Sequence, residues 1–171
     1  MISSRSFTLL VGAVLTALVL AGCGQREKAA TAYTGAEPAT IGVASTNLGN
    51  VLVDAEGRTL YLFEKDAATS SACAGACAGA WSPLPRSGEP TVGRGADAAL
   101  ITTAKRPDGV PQLAYNGHPL YLYAGDASPG DTHGHGLTDY GAAWYALTPE
   151  GEQVSAQPSS SDARQSSDGG S

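Results

Sequence analysis

Basic residues are scarce in this chain: 10 Lys and Arg stand against 16 Asp and Glu in 171 residues. That deficit argues against nucleic acid as a partner, because few side chains are there to neutralise phosphates. It also leaves no polybasic patch for an anionic lipid surface. No Gly-rich phosphate-binding loop occurs. No Ser or Thr has a His and a supporting acid at recognisable spacing, so the sequence offers no acyl-transfer constellation. No long stretch carries an apolar face at helical period, which leaves strands to build the fold. Cysteines number three. The expectation from these absences is a non-enzymatic protein without a cofactor.

What is present begins at the N-terminus. Arg5 supplies a short basic start, and Phe7 to Leu20 is an uncharged run of 14 residues. That run is short of the roughly 20 residues a spanning helix needs. A charged start, an apolar run and a small-residue end are the parts of a secretory signal peptide. Leu20-Ala21-Gly22-Cys23 resembles the bacterial lipobox. The resemblance implies cleavage after residue 22, acylation of Cys23 by palmitate-like chains, and a place on the extracytoplasmic face of the cell membrane with the bilayer as partner. Each buried methylene is worth about 0.8 kcal/mol, and one acyl chain alone holds only reversibly. A diacylglyceryl group, usually with a third chain, holds far better.

Removal of residues 1–22 leaves 149 residues, 9 of them basic. A chain of that size makes one domain or two small ones. Residues 23–40 are polar and small and read as a flexible tether. Residues 151–171 are Ser, Gln, Asp and Gly with almost nothing apolar, and read as a disordered tail. The folded part is therefore 41–150. With Cys23 acylated, Cys73 and Cys77 remain, and an even pair outside the cytoplasm reads as a disulfide.

Inside the folded part lies a repeat, at about 48–84 and 110–148. Gly57-Arg-Thr-Leu60-Tyr61-Leu62-Phe63-Glu-Lys-Asp66 matches Gly117-His-Pro-Leu120-Tyr121-Leu122-Tyr123-Ala-Gly-Asp126 at an offset of 60, and Ala80-Trp81 matches Ala143-Trp144 at 63. Each unit opens as a hairpin. In the first, Val51 to Val53 leads through Asp54 to Gly57 into Leu60 to Phe63. In the second, Leu113 to Tyr115 meets Asn116-Gly117, a strong type I′ turn signal, before Leu120 to Tyr123. Tyr61 and Phe63 share one strand face while Leu60 and Leu62 share the other. Both faces are apolar, so these strands should be covered on both sides. Ile41 to Ser45, Ala99 to Thr103 and Trp144 to Thr148 add short strands. Ser70 to Ala80 reads as a helical turn near the Cys pair, with Ser71 as its N-cap. The expected fold is all-β: a small antiparallel sandwich or closed sheet built from two homologous hairpin repeats.

These residues resemble a bacterial family of secreted or lipid-anchored repeat proteins marked by Tyr-x-(Phe/Trp/Tyr)-x-x-Asp. The motif stands twice, as Tyr61-Leu-Phe63-Glu-Lys-Asp66 and Tyr121-Leu-Tyr123-Ala-Gly-Asp126. The likeness covers nearly all of 48–149, including Cys73-x-x-x-Cys77-x-x-x-Trp81 and the Pro129-Gly-Asp131…Gly136 loop. It implies a secreted or lipoprotein address and no agreed activity.

Several residues are candidates for more than scaffolding. Cys73 and Cys77 read as a loop staple, or as a redox-active dithiol one residue longer in spacing than Cys-x-x-Cys. His133 and His135, as His-x-His on an extended segment, would put both rings on one face. With His118, Asp131 or Asp126 they offer a zinc or copper site, against a plain polar loop. Asp66 and Asp126 read as caps of turns past a strand end, or as two carboxylates meeting across a pseudo-twofold axis. Trp81 and Trp144 read as core. Two functional readings follow. The first is a non-catalytic binding or structural module of the cell envelope with an unnamed ligand or protein partner. The second is an envelope metal-handling or redox protein using His118, His133 and His135 or the Cys73–Cys77 pair.

Overall fold

The computed structural model of the chain describes residues 38–155. The stretches read above as signal peptide (1–22), acylated Cys23, tether before residue 38 and tail beyond residue 155 lie outside the described residues. No helix among the described residues is long and apolar enough to cross a membrane.

The described chain is built of strands: β1 (Thr40–Thr46), β2 (Gly49–Val53), β3 (Tyr61–Phe63), β4 (Trp81–Pro83), β5 (Thr91–Val92), β6 (Ile101–Ala104), β7 (Gln112–Tyr115), β8 (His118–Pro119), β9 (Tyr121–Tyr123), β10 (Thr138–Asp139) and β11 (Ala142–Ala146). One short helix, α1 (Ala76–Ala80), sits at the Cys pair. The fold is all-β, as expected. The strands form three open ladders, ordered β2-β1-β5, β10-β11-β3-β9-β4 and β6-β7-β8.

Local chemistry explains the turns. Asn116 and Gly117 have φ of 47° and 81°. Two successive positive values are what a type I′ turn demands, and Gly accepts its share without a Cβ clash. The turn sets Tyr115 opposite His118. In the first repeat the Asp54 carboxylate holds the turn, accepting from the N–H of Glu56 at 3.1 Å and of Arg58 at 2.9 Å. Arg58 closes the loop with Nε donating to Asp54 Oδ2 at 2.8 Å.

The hairpins are short because the chain soon leaves them. After Thr59 and Pro119 it crosses into the five-stranded sheet as β3 and β9. Tyr61 and Phe63 pack on one face with Val51, Val53, Trp81 and Trp144. Leu60 and Leu62 pack on the other with Ile41, Leu113, Leu120 and Leu147. The central strands are therefore covered on both sides, and each fully buried large side chain contributes about 1.5–3 kcal/mol.

The repeats interlock. β3 and β9 are equivalent strands, and they pair antiparallel with Tyr61 opposite its own counterpart Tyr121. Such a pair defines a local twofold axis. On either side, each repeat's Trp strand crosses to the other repeat. Trp144 pairs with Phe63 and Ala146 with Tyr61. Trp81 pairs with Tyr123 and Pro83 with Tyr121. From β11 to β4 the sheet thus alternates second repeat, first repeat, second repeat, first repeat.

Four expectations change. The ladders are not wholly antiparallel: β5 runs parallel to β1, with Thr40 opposite Thr91. Ser71 does not cap α1, whose N-cap position is Gly75 with no side-chain bond. The strand expected at Ala99–Thr103 begins two residues later and ends at Ala104, because a 3-10 turn occupies Ala98–Leu100, and the one expected at Trp144–Thr148 lies two residues earlier. Finally, the ends of the tether and the tail join the fold. Thr40 opens β1, and Val154 is buried with its N–H donating to Ala146 O at 2.8 Å. One apolar residue in a polar stretch is enough to pin it there.

Candidate functional site

The doubled motif meets itself at the local twofold axis. Tyr61 Oη donates to Asp126 Oδ2 at 2.6 Å, and Tyr121 Oη donates to Asp66 Oδ2 at 2.7 Å. Each Tyr therefore reaches the Asp of the other repeat. The second oxygen of each carboxylate closes its own loop. Asp66 Oδ1 accepts from Ala72 N–H at 2.7 Å, and Asp126 Oδ1 from His133 N–H at 2.9 Å. The two Asp do cap turns, and their carboxylates engage different tyrosines.

Burial, then the facing Asp126 carboxylate, pushes the Tyr61 hydroxyl well above the ordinary phenol range. Burial does the same to Tyr121, with Asp66 adding to it and Ser71 opposing. Burial also raises Asp66, against the bonds from Ala72 and Tyr121 and the charge of Arg106. Hydrogen bonds to a charged carboxylate in such a setting are among the stronger ones in proteins.

Between the two braces lies a ring stack. Phe63 lies on Trp144 at 4.0 Å and 9°, Trp144 on Trp81 at 3.8 Å and 5°, and Trp81 on Tyr123 at 4.4 Å and 31°. Tyr61 meets Trp81 edge-on at 5.5 Å, and Tyr121 meets Trp144 at 5.1 Å. The rings alternate between repeats, as the strands do. Both Trp side chains are fully buried, so they are core, as expected, and their stacking adds to the area they bury.

Cys73 and Cys77 form the expected disulfide, with Cα atoms 5.3 Å apart, inside the usual range. Both are buried against the ring stack. The second repeat has Gly134 in the place of Cys73. A Cβ on Gly134 would sit 2.9 Å from both Trp81 and Tyr61.

The histidines do not converge. His118 lies on β8. The His133 side chain is 67% exposed, with Nδ1 3.4 Å from Asp126 and 3.9 Å from Asp131. Asp131 itself accepts from the N–H of Ala127 and Ser128. His135 Nδ1 accepts from Ala146 N–H at 3.3 Å and packs on Tyr145; burial lowers its pKa. The expected common face fails because the loop turns, with His135 N–H bonded to Thr132 O and Leu137 N–H to Gly134 O. Among the described residues no three His, Cys, Asp or Glu gather as a metal site.

Sequence reasoning missed a buried polar strut. The Arg106 side chain is 6% exposed and pairs with Asp108 at 2.7 Å. Its Nη1 donates to Gln112 Oε1 at 3.2 Å and, at 3.4 Å each, to Ser71 Oγ and Cys73 O. Gln112 is fully buried and donates to Leu120 O at 2.7 Å. Ser71 Oγ in turn bonds Tyr121 Oη at 2.7 Å. The one signal was Gln112 standing where the first repeat has Val51, since Leu60 N–H bonds Leu52 O as Leu120 N–H bonds Leu113 O.

A family model described as a secreted repeat of unknown function matches this chain twice, over residues 42–84 and 102–148. The two matched stretches are the two interlocked units. No curated protein and no solved structure matches the chain.

Proposed function

The chain belongs to the secreted-repeat family, and from that premise we propose that it is a membrane-anchored extracytoplasmic lipoprotein, held at Cys23, whose domain is a non-catalytic binding or structural module of the cell envelope. The observation that carries this reading is the reciprocal pairing of Tyr61 with Asp126 and Tyr121 with Asp66. The residues that mark the repeat are turned inward, where they tie its halves together. The described surface carries shallow clefts, such as one of about 270 Å³ beside Thr103, Arg106 and Val110. Small-molecule sites generally run from about 300 to 1,000 Å³, mostly apolar with a few placed polar groups, and enclose most of their ligand.

Two experiments test the proposal. Cells fed a clickable fatty acid should label the wild-type protein and not the Cys23→Ala variant; an unlabelled wild type found with cytosolic proteins overturns the anchor. Zinc or copper added to the purified domain should leave its melting temperature unchanged. A ligand that binds only the native state raises apparent stability, so a rise would favour the metal-handling reading instead.

A further inference from the structure

We propose that the interlocked rings form a relay for one-electron oxidation, taking an oxidising equivalent in at Tyr123 and passing it through Trp81 and Trp144 to Tyr61 and Tyr121, whose phenolic protons move to Asp126 and Asp66. The inference goes beyond the envelope-module reading and rests on it only in taking the Cys23 thiol as acylated.

Three independent observations carry it. First, the rings are in contact throughout: Tyr123 to Trp81 at 4.4 Å, Trp81 to Trp144 at 3.8 Å, Trp81 to Tyr61 at 5.5 Å and Trp144 to Tyr121 at 5.1 Å. Electron transfer between oxidisable rings falls steeply with separation, and each step here is between neighbours. Tyr123, at one end of the stack, is partly exposed, while the other four rings are fully buried. Second, each terminal phenol already points its proton at a carboxylate, at 2.6 and 2.7 Å. Oxidation makes a phenol strongly acidic, so the electron leaves most easily where a base takes the proton at the same moment. Burial holds both phenols protonated beforehand, which makes the carboxylate necessary. Third, the domain lacks the usual sulfur sinks. Met1, at the start of the signal peptide, is the sole Met in the sequence, and Cys73 and Cys77 are joined. Met and free Cys are the side chains that oxidants ordinarily consume. In their absence Tyr and Trp are the most readily oxidised groups.

The step balances as follows. An oxygen-centred radical of the peroxyl class takes one electron from Tyr123 and one proton from water, and leaves as the hydroperoxide with hydroxide in the solvent. Trp81 refills Tyr123, and Tyr61 refills Trp81. The Tyr61 O–H bond breaks, its proton passes to Asp126, and a neutral tyrosyl radical remains. The same sequence through Trp144 ends on Tyr121 and Asp66. A one-electron, one-proton donor of the ascorbate or thiol class, supplied from outside, resets the pair: its electron reduces the tyrosyl radical, the carboxyl group gives the phenol its proton back, and the donor's own proton neutralises the hydroxide.

The test uses the mature domain in a Tyr140→Phe background, because Tyr140 is exposed and oxidises directly. Photogenerated ruthenium(III) tris-bipyridine is the oxidant, and transient absorption with rapid-freeze electron paramagnetic resonance reads the radicals. The expected sequence is a fleeting oxidation of Tyr123, then a short-lived tryptophanyl radical, then a long-lived tyrosyl radical. Tyr61→Phe/Tyr121→Phe should lose the long-lived tyrosyl signal and prolong the tryptophanyl one. Identical spectra from the two proteins would overturn the relay. Should the double variant fail to fold, the parent protein still decides: tyrosyl formation should slow in deuterated water, because a proton moves with the electron. No isotope effect, or no tryptophanyl precursor, would contradict the proposal.

Discussion

The two loops that follow the motif strands do the same work with different parts. In the first repeat the loop from Asp66 to Ala80 carries the Cys73–Cys77 disulfide and α1. In the second, the loop from Asp126 to Ala143 has no disulfide and ends in the β10–β11 hairpin. Where Cys73 packs on the rings of the first loop, Gly134 lets its backbone lie flat on Trp81 and Tyr61. The indoles record the difference. Trp144 Nε1 donates to Asp139 O at 3.1 Å. Trp81 Nε1 is buried with no partner among the described residues. Its equivalent acceptor, Ala76 O, heads α1 and instead accepts from Tyr140 Oη at 3.2 Å. A covalent staple in one loop thus coexists with an unsatisfied donor, while the unstapled loop satisfies every counterpart. The symmetric centre is what both loops serve.

That contrast can be broken first at the rings. Trp144→Ala and Trp81→Ala should each destabilise the domain by about 3–5 kcal/mol in urea titrations. Trp144→Phe should cost more than Trp81→Phe by about 1 kcal/mol, because only the first loses a hydrogen bond. Equal costs would mean that Trp81 finds a partner the structure does not show. Next comes the staple. Cys73→Ala/Cys77→Ala should cost about 2 kcal/mol or more, through the entropy of a short loop and the cavity left behind. Reductant should then move the melting temperature of the wild type and not of the variant. In the second loop, Gly134→Ala should cost about 1–3 kcal/mol, since a methyl group there meets two rings that cannot retreat. An unchanged melt would show that the loop lifts off freely.

The smallest effect is in pH. Burial raises Asp66 in the folded state, so the native protein holds that proton more tightly than the unfolded chain. Stability then falls as pH rises through the window above the ordinary carboxylate value. This contribution is fully present below the unfolded pKa of 3.8 and is lost above the raised folded value. Melts across that range should therefore fall more with rising pH in the wild type than in Asp66→Asn, and parallel curves would contradict the assignment.

Local chemistry was legible in the sequence, and exchange between distant segments was not. Asn116-Gly117 specified its turn by itself, because few residue pairs accept two positive φ values. Tyr61-Leu62-Phe63 announced a strand covered on both sides. The disulfide followed from counting cysteines outside the cytoplasm. The crossing of Trp81 and Trp144 between repeats had no local signal, since the same residues at the same spacing fit a strand returning to its own unit. The parallel β5 is two exposed residues long and leaves no pattern. The His-x-His reading assumed extended backbone, and the glycines between and after the two rings permit the turns that separate them.

The central claim is that each motif Tyr is held by the Asp of the other repeat. A double-mutant cycle on stability tests it most directly, pairing Tyr61→Phe with Asp126→Asn and, separately, with Asp66→Asn. The first pair should show a coupling of roughly 1 kcal/mol, and the second should be additive within about 0.5 kcal/mol. Coupling between Tyr61 and Asp66, with none between Tyr61 and Asp126, would contradict the interlocked arrangement.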